Sequence, residues 1–244
     1  MVKTYRIRPL PLMTMELDMG ILTYRYKYGT KIQNPVYCWY IEGADKNILV
    51  DTAAEAEMAM SYRGFPAKKL MSFEEALASV NLKPDDIDLV IQTHLHWDHC
   101  ANTYKCKNAR VLVTEEELRF ALAPHPLTGL SYKKDLFRDL NFVLVNGQYE
   151  VAPGIELIPA PGHSPGCQAV AINTEQGKAV ITGFCCTREN FEPPEDIKKQ
   201  MPIITPGTHI DAVEAFESTL RIKGLADILI PIHEPSFLKV KSIP

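Results

Sequence analysis

The sequence predicts an α/β fold in which two sheets lie face to face with helices on the outside. Three observations carry this: apolar β-rich runs fall into two groups, each group holds a hairpin signature, and helical stretches with readable starts follow them. The 244 residues contain no Pro/Gly/Ser-rich linker and no low-complexity segment, so one domain over residues 1–244 is expected.

In chain order, residues 36–41 and 47–51 are β-rich runs around a polar Gly43-Ala44-Asp45-Lys46 turn, a hairpin pattern. Residues 168–173 and 178–184 repeat the device around residues 174–177, which reads as a weak internal duplication of a sheet unit. Ser72-Phe73-Glu74-Glu75 and Thr114-Glu115-Glu116-Glu117 both fit the capping box, so helices are expected over 72–80 and 114–123. A third helix is expected over 209–223, packing on a sheet through Ile210, Val213, Phe216, Leu220 and Ile222. The remaining strands are expected at 87–92, 142–145, 155–158 and 227–232.

Composition excludes several function classes. Lys and Arg number 26 against 30 Asp and Glu, for a net charge of -4, and no basic run exceeds a pair, so a phosphate-backbone partner is not expected. No stretch approaches the roughly 18 apolar residues that span a bilayer, and the segment with Lys3, Arg6, Arg8 and Pro9 lacks the apolar core of a signal peptide. Six cysteines at irregular spacing read as free thiols. A cytoplasmic protein without a membrane partner, monomeric or homodimeric, is the expectation.

The chemistry concentrates in Thr93-His94-Leu95-His96-Trp97-Asp98-His99, directly after an apolar strand. Alternate side chains of an extended segment share a side, so His94 and His96 can address one locus, while a turn at Trp97 brings Asp98 and His99 to a second. Imidazole nitrogen and carboxylate oxygen suit Zn²⁺ and comparable first-row ions. The competing reading is a polar turn whose histidines are hydrogen-bonded locally; clustered imidazoles without a shared cation would pay desolvation.

This segment, with Ile48-Leu49-Val50-Asp51-Thr52 before it and Pro161-Gly162-His163-Ser164-Pro165-Gly166 after it, resembles the metallo-β-lactamase superfamily, and within it the N-acyl homoserine lactonases. Further echoes are Pro35-Val36-Tyr37-Cys38, Tyr149-Glu150-Val151 with Pro153-Gly154, and Glu189-Asn190-Phe191-Glu192. The resemblance implies an αββα four-layer sandwich, two mixed sheets flanked by helices, with a dinuclear site at its rim. It implies that His94, His96 and His163 hold one metal and Asp98, His99 and His233 the other, with Asp51 orienting a ligand histidine. The ions would be two divalent cations, zinc expected, iron or manganese as alternatives.

The chain departs from the pattern where the family has a bridging aspartate. No acidic residue occurs between Lys178 and Arg188, and the slot aligns with Cys185. A thiolate can bridge two ions, so Cys185 is a candidate ligand; otherwise it is a small buried hydrophobe, and one ion or a solvent-bridged pair results. A substrate-contacting tyrosine of the lactonases is also missing, the stretch reading Cys186-Thr187-Arg188, with Arg188 a candidate anion contact. A pocket is expected from Trp97 and from the apolar loop residues Met58, Met60, Tyr62, Phe65 and Met71, with Met13, Met15 and Met19 of the N-terminal stretch.

The implied activity is a metal-dependent hydrolase that opens a lactone or related ester through a metal-activated hydroxide, Asp98 handling the proton of the leaving group. No Gly-x-Ser-x-Gly elbow offers covalent catalysis instead. A thioesterase or amide hydrolase on the same fold, or a non-catalytic metal-binding or sensing relative, stands as the alternative.

Overall fold

The structure is a computed structural model and describes residues 3–244. A seven-stranded sheet contains β1 (Arg6–Asp18), β2 (Lys31–Glu42), β3 (Ile48–Val50), β4 (Ala67–Lys69), β5 (Leu89–Ile91), β6 (Arg110–Thr114) and β7 (Phe142–Val145), in the order β4-β1-β2-β3-β5-β6-β7. A five-stranded sheet contains β8 (Tyr149–Ala152), β9 (Ile155–Pro159), β10 (Gln168–Thr174), β11 (Gly177–Ile181) and β12 (Ile228–Ile230), in the order β12-β11-β10-β9-β8. Both sheets are mixed, and together with the helices they make the αββα sandwich.

Period-two alternation builds the layers. Ile48, Val50, Leu89 and Ile91 point into a core shared with Leu157, Val170, Ile172 and Ile181 of the second sheet. The intervening Leu49 and Val90 point the other way, onto Phe73, Ala76 and Leu77 of the Phe73–Ala78 helix. On the far side, Ala169, Ala171 and Val180 meet Ile222 of the Ala212–Leu225 helix. Both expected hairpins are present, and each second strand then pairs in parallel with a later one, β3 with β5 and β11 with β12. The chain beyond β5 and β12 therefore leaves both sheets at the same rim.

Two expectations are corrected, and the N-terminal stretch adds a strand. Residues 182–184 lie outside β11, because Gly183 turns the chain at φ 76, where an added Cβ would sit 2.0 Å from the carbonyl oxygen of Gln168. The third helix begins at Ala212, capped by the Asp211 carboxylate, and buries Ala215, Ser218, Thr219 and Ile222, while Ile210 and Val213 are exposed. Small residues on that face let the helix approach the loop before β10: a Cβ on Gly162 would meet the Ala215 nitrogen at 2.2 Å, and Ser218 donates to the Pro161 carbonyl. The N-terminal stretch is a long strand in which Met13 and Met15 are buried. Its Pro9 and Pro11 are accommodated because β4 pairs only with residues Met13 to Met15, which leaves β1 an edge around the prolines.

No helix among the described residues is long and apolar enough to cross a membrane. The six cysteines are all free and buried.

Candidate metal centre

At the rim, two clusters of donor atoms form. Ligand atoms of His94, His96 and His163 lie within 4.8 Å of one another, and so do those of Asp98, His99 and His233. His94 and His96 stand on the extended exit of β5, and the Trp97–Cys100 helical turn carries Asp98 and His99 to the second cluster. His163 arrives on the turn before β10, and His233 follows β12. Neither His125, which is exposed, nor His209 belongs to a cluster.

The far nitrogen of four imidazoles is tied down, which decides what the near nitrogen offers. His163 Nδ1 faces the Thr208 carbonyl at 2.7 Å and His233 Nδ1 the Pro35 carbonyl at 2.8 Å, so in each case Nδ1 carries the proton. His99 Nδ1 donates to Asp51 Oδ2 at 2.8 Å. Thr93 gives its hydroxyl proton to the same Asp51 oxygen, so its Oγ1 accepts from His94 Nδ1 at 3.0 Å. Each of these rings then presents a bare Nε2 lone pair inward. His94 Nε2 and His163 Nε2 face each other at 3.2 Å, and His96 Nε2 is buried without a hydrogen-bond partner. Two lone pairs at that distance repel unless a cation takes them, so the donor set fits divalent metal ions.

Electrostatics point the same way. Burial, reinforced by neighbouring imidazoles, pulls His94 and His96 well below the ordinary histidine value of 6.5. Burial likewise lowers His163 and His233 to about 4. At neutral pH these four rings are uncharged and able to ligate. His99 differs: burial opposes its charge, but the Asp98 and Asp51 carboxylates outweigh it and raise the value. Asp51 itself sits at φ 55, in the left-handed region unfavourable for residues with a Cβ, and also accepts the Thr93 backbone N–H at 2.8 Å.

Glu117 is a component that the sequence pattern concealed. Thr114 does cap its helix by accepting the Glu117 N–H, but the Glu117 carboxylate does not return to the cap. It is fully buried and accepts the Leu95 N–H at 2.9 Å, the Ser164 hydroxyl at 2.6 Å and the Tyr132 hydroxyl at 3.2 Å. Leu95 lies between His94 and His96, Ser164 follows His163, and the Tyr132 ring packs edge-on to His96 at 4.7 Å. Burial raises the Glu117 value, partly offset by those donors.

A cleft of about 280 Å³ opens onto the clusters. Its apolar wall includes Met15, Leu17, Phe65 and Trp97, and its polar floor includes Asp98, Cys185 and His233. Phe65 and Trp97, both expected in a pocket, line this cleft. Met58 and Arg188 do not: the short Ala56–Met58 helix turns Met58 to a separate hollow beside Ala101 and Leu136, and Arg188, at the start of its own helix, faces another hollow with Met19 and Glu189. Cys185 packs on Met19 and Leu22 at the cleft wall, its sulfur outside both clusters, and burial holds its thiol protonated, well above the ordinary range.

The model of the metallo-β-lactamase superfamily matches residues 32–224. The chain belongs to that superfamily. Within it, the chain is 31% identical over 217 residues to the N-acyl homoserine lactonase AiiA of Bacillus thuringiensis subsp. kurstaki, covering 75% of this chain and 84% of that protein. It is 27% identical to the lactonase AiiB of Agrobacterium fabrum, over 67% of each chain. A solved N-acyl homoserine lactone hydrolase, with N-hexanoyl-L-homoserine bound at its catalytic metal centre, superposes with a TM-score of 0.79 at 27% identity, over 97% of this chain and 96% of that one. The superfamily member described here is thus lactonase-like in both sequence and fold.

Proposed function

We propose that the protein is a metal-dependent hydrolase that opens a lactone or a related ester. The observation that carries this reading is the convergence of two three-residue donor clusters, with inward-facing imidazole lone pairs, on the floor of a cleft lined in part by Met15, Leu17, Phe65 and Trp97. The lactonase relatives support a cyclic ester as the bond that is opened. His94, His96 and His163 would hold one divalent cation and Asp98, His99 and His233 the other, zinc first among the candidates, with iron or manganese suited by the same donors. When bound, such ions supply Lewis acidity toward a substrate carbonyl and water activated at neutral pH.

The chain's own residues supply the rest. Asp51 fixes the ring of His99 in the tautomer that leaves Nε2 free. Asp98, with Oδ2 at 3.5 Å from His99 Nε2 and at 4.0 Å from His233 Nε2, borders the cleft and is placed to pass a proton to the leaving alkoxide. Trp97 and Phe65 exclude water from the acyl side. Cys185 also lines the cleft, packed on Met19 and Leu22, and a cation close by would remove its proton and recruit the thiolate as a further ligand.

The test is metal per chain in protein purified without chelator, together with turnover of a small lactone panel. Two ions with lactone opening is the expected result. Two ions with turnover confined to thioesters or amides would change the bond class. Protein that takes up none of zinc, manganese or iron would end the hydrolase reading.

A further inference from the structure

Among the side chains lining the cleft, one is a permanent cation: Arg63. It ends the Ala59–Arg63 π-helical turn, which Gly64 closes at φ 69, and this geometry sets Arg63 into the cleft wall. Its guanidinium lies over the Phe65 ring, 5.3 Å from the centroid, and donates to the Leu130 carbonyl. Arg8, Arg119 and Arg138 each have a carboxylate partner; Arg63 has none among the described residues. A half-buried guanidinium bonded to one carbonyl retains further N–H donors in a planar fork that matches a carboxylate. The lining also holds the apolar Met15, Leu17, Ile21 and Phe65 and the neutral Ser131, which follows Leu130, and the cleft's one carboxylate, Asp98, lies in the second donor cluster.

We propose that Arg63 selects the substrate, by receiving a carboxylate carried on the substituent that extends from the reacting ester. The preferred substrate class is then an anionic lactone or ester, with the ester at the metal clusters, the methylenes against Met15, Leu17 and Phe65, and the carboxylate on Arg63. This deepens the hydrolase reading and rests on it. Lys133 lies over the Tyr62 ring at 5.1 Å, and Tyr62 packs on Trp97, so a second cation stands behind the same wall and no acidic group among the cleft residues opposes an anion on this side.

The experiment compares matched γ-lactones whose side arm ends in a methyl or in a carboxylate at equal length, on zinc-loaded protein. The wild type should favour the carboxylate arm in kcat/KM by on the order of 10- to 100-fold, mainly through KM, the range of one charge-assisted bidentate contact. Arg63→Gln should bring that ratio towards unity, Arg63→Lys should keep part of it, and Arg63→Glu should turn it towards an arm ending in ammonium. A guanidinium serving only to hold Leu130 would lower both substrates alike and leave the ratio unmoved, which overturns the proposal, as does a wild type without preference. A second arm needs no turnover: adipate is titrated into the same zinc-loaded proteins and followed by tryptophan fluorescence, Trp97 being in the cleft. Weaker binding by Arg63→Gln than by wild type supports the proposal and equal binding overturns it, even if no lactone is opened and the hydrolase reading has failed on its own.

Discussion

The Ser164 hydroxyl donates to Glu117 Oε2 at 2.6 Å while the Leu95 N–H donates to Glu117 Oε1 at 2.9 Å, so one buried carboxylate joins the strand exit that carries His94 and His96 to the turn that carries His163. Gln168 joins the same two segments further back, through its N–H to the Thr93 carbonyl at 3.0 Å, and the Glu117 carboxylate adds the tie at the residues next to the three imidazoles. Glu117→Gln keeps the volume but turns one acceptor into a donor facing either Ser164 or Leu95. Metal affinity at the His94, His96 and His163 cluster should fall by about 10- to 100-fold, the usual cost of losing a group that orients metal ligands. Chelator competition on the variant measures this. Unchanged affinity with only a lower melting temperature would reduce Glu117 to a packing role.

Asp51 plays the corresponding part for the second cluster. Asp51→Asn would offer His99 Nδ1 an amide of uncertain orientation in place of a carboxylate, and the ring would lose its fixed tautomer. Loss of about one metal per chain at chelator concentrations that leave the wild type loaded is expected, within the same 10- to 100-fold range. Stoichiometry by elemental analysis decides it; full occupancy in the variant would contradict the assignment.

Cys185 is tested by spectroscopy more cleanly than by rate. In cobalt-loaded protein a thiolate ligand gives a sulfur-to-metal charge-transfer band in the near ultraviolet, which should be present in the wild type and absent in Cys185→Ala, with weaker metal retention. No such band in the wild type means that the thiol stays protonated beside Met19 and Leu22 and that the two clusters hold their ions without it.

What the sequence disclosed depended on how local the signal was. His94, His96, Asp98 and His99 were legible because one loop carries them, and His163 and His233 because their surroundings resemble a known family. Glu117 was hidden by a rival local explanation, since a T-x-x-E pattern before a helix reads as a capping box, and only the tertiary fold shows its side chain turned inward. The strand β1 was concealed by Pro9 and Pro11, whose tolerance depends on where a neighbouring strand ends. By contrast, β6 carries a local β-branched signal, Val111, Val113 and Thr114, and is legible in the sequence alone. Arg63 carried no signal, being a single charge in a loop that the fold alone brings to the cleft.

The imidazoles also predict how the metal-free protein responds to acid. His163 and His233 are drawn by burial from 6.5 to about 4, and His94 and His96 also fall well below the ordinary value. Between pH 6.5 and about 4 the unfolded chain therefore binds protons that the folded chain refuses, so folding stability is lost as pH falls through this window. The raised His99 does not counter this, because its contribution is complete below pH 6.5 and declines only at higher pH. Glu117, raised by burial, acts in the opposite direction, but it is one group against four. Each unit of separation at a given pH is worth about 1.4 kcal/mol, and each kcal/mol moves Tm by roughly 2–4 °C in a chain of this size. The metal-free protein should consequently lose more than ~5 °C of Tm between pH 7 and pH 5. The zinc-loaded protein should change less over the same range, because a cation bound only by the folded state holds the imidazoles deprotonated. Calorimetry of the two forms side by side checks both slopes, and a flat profile for the metal-free protein would show that its histidines are not buried in the neutral state.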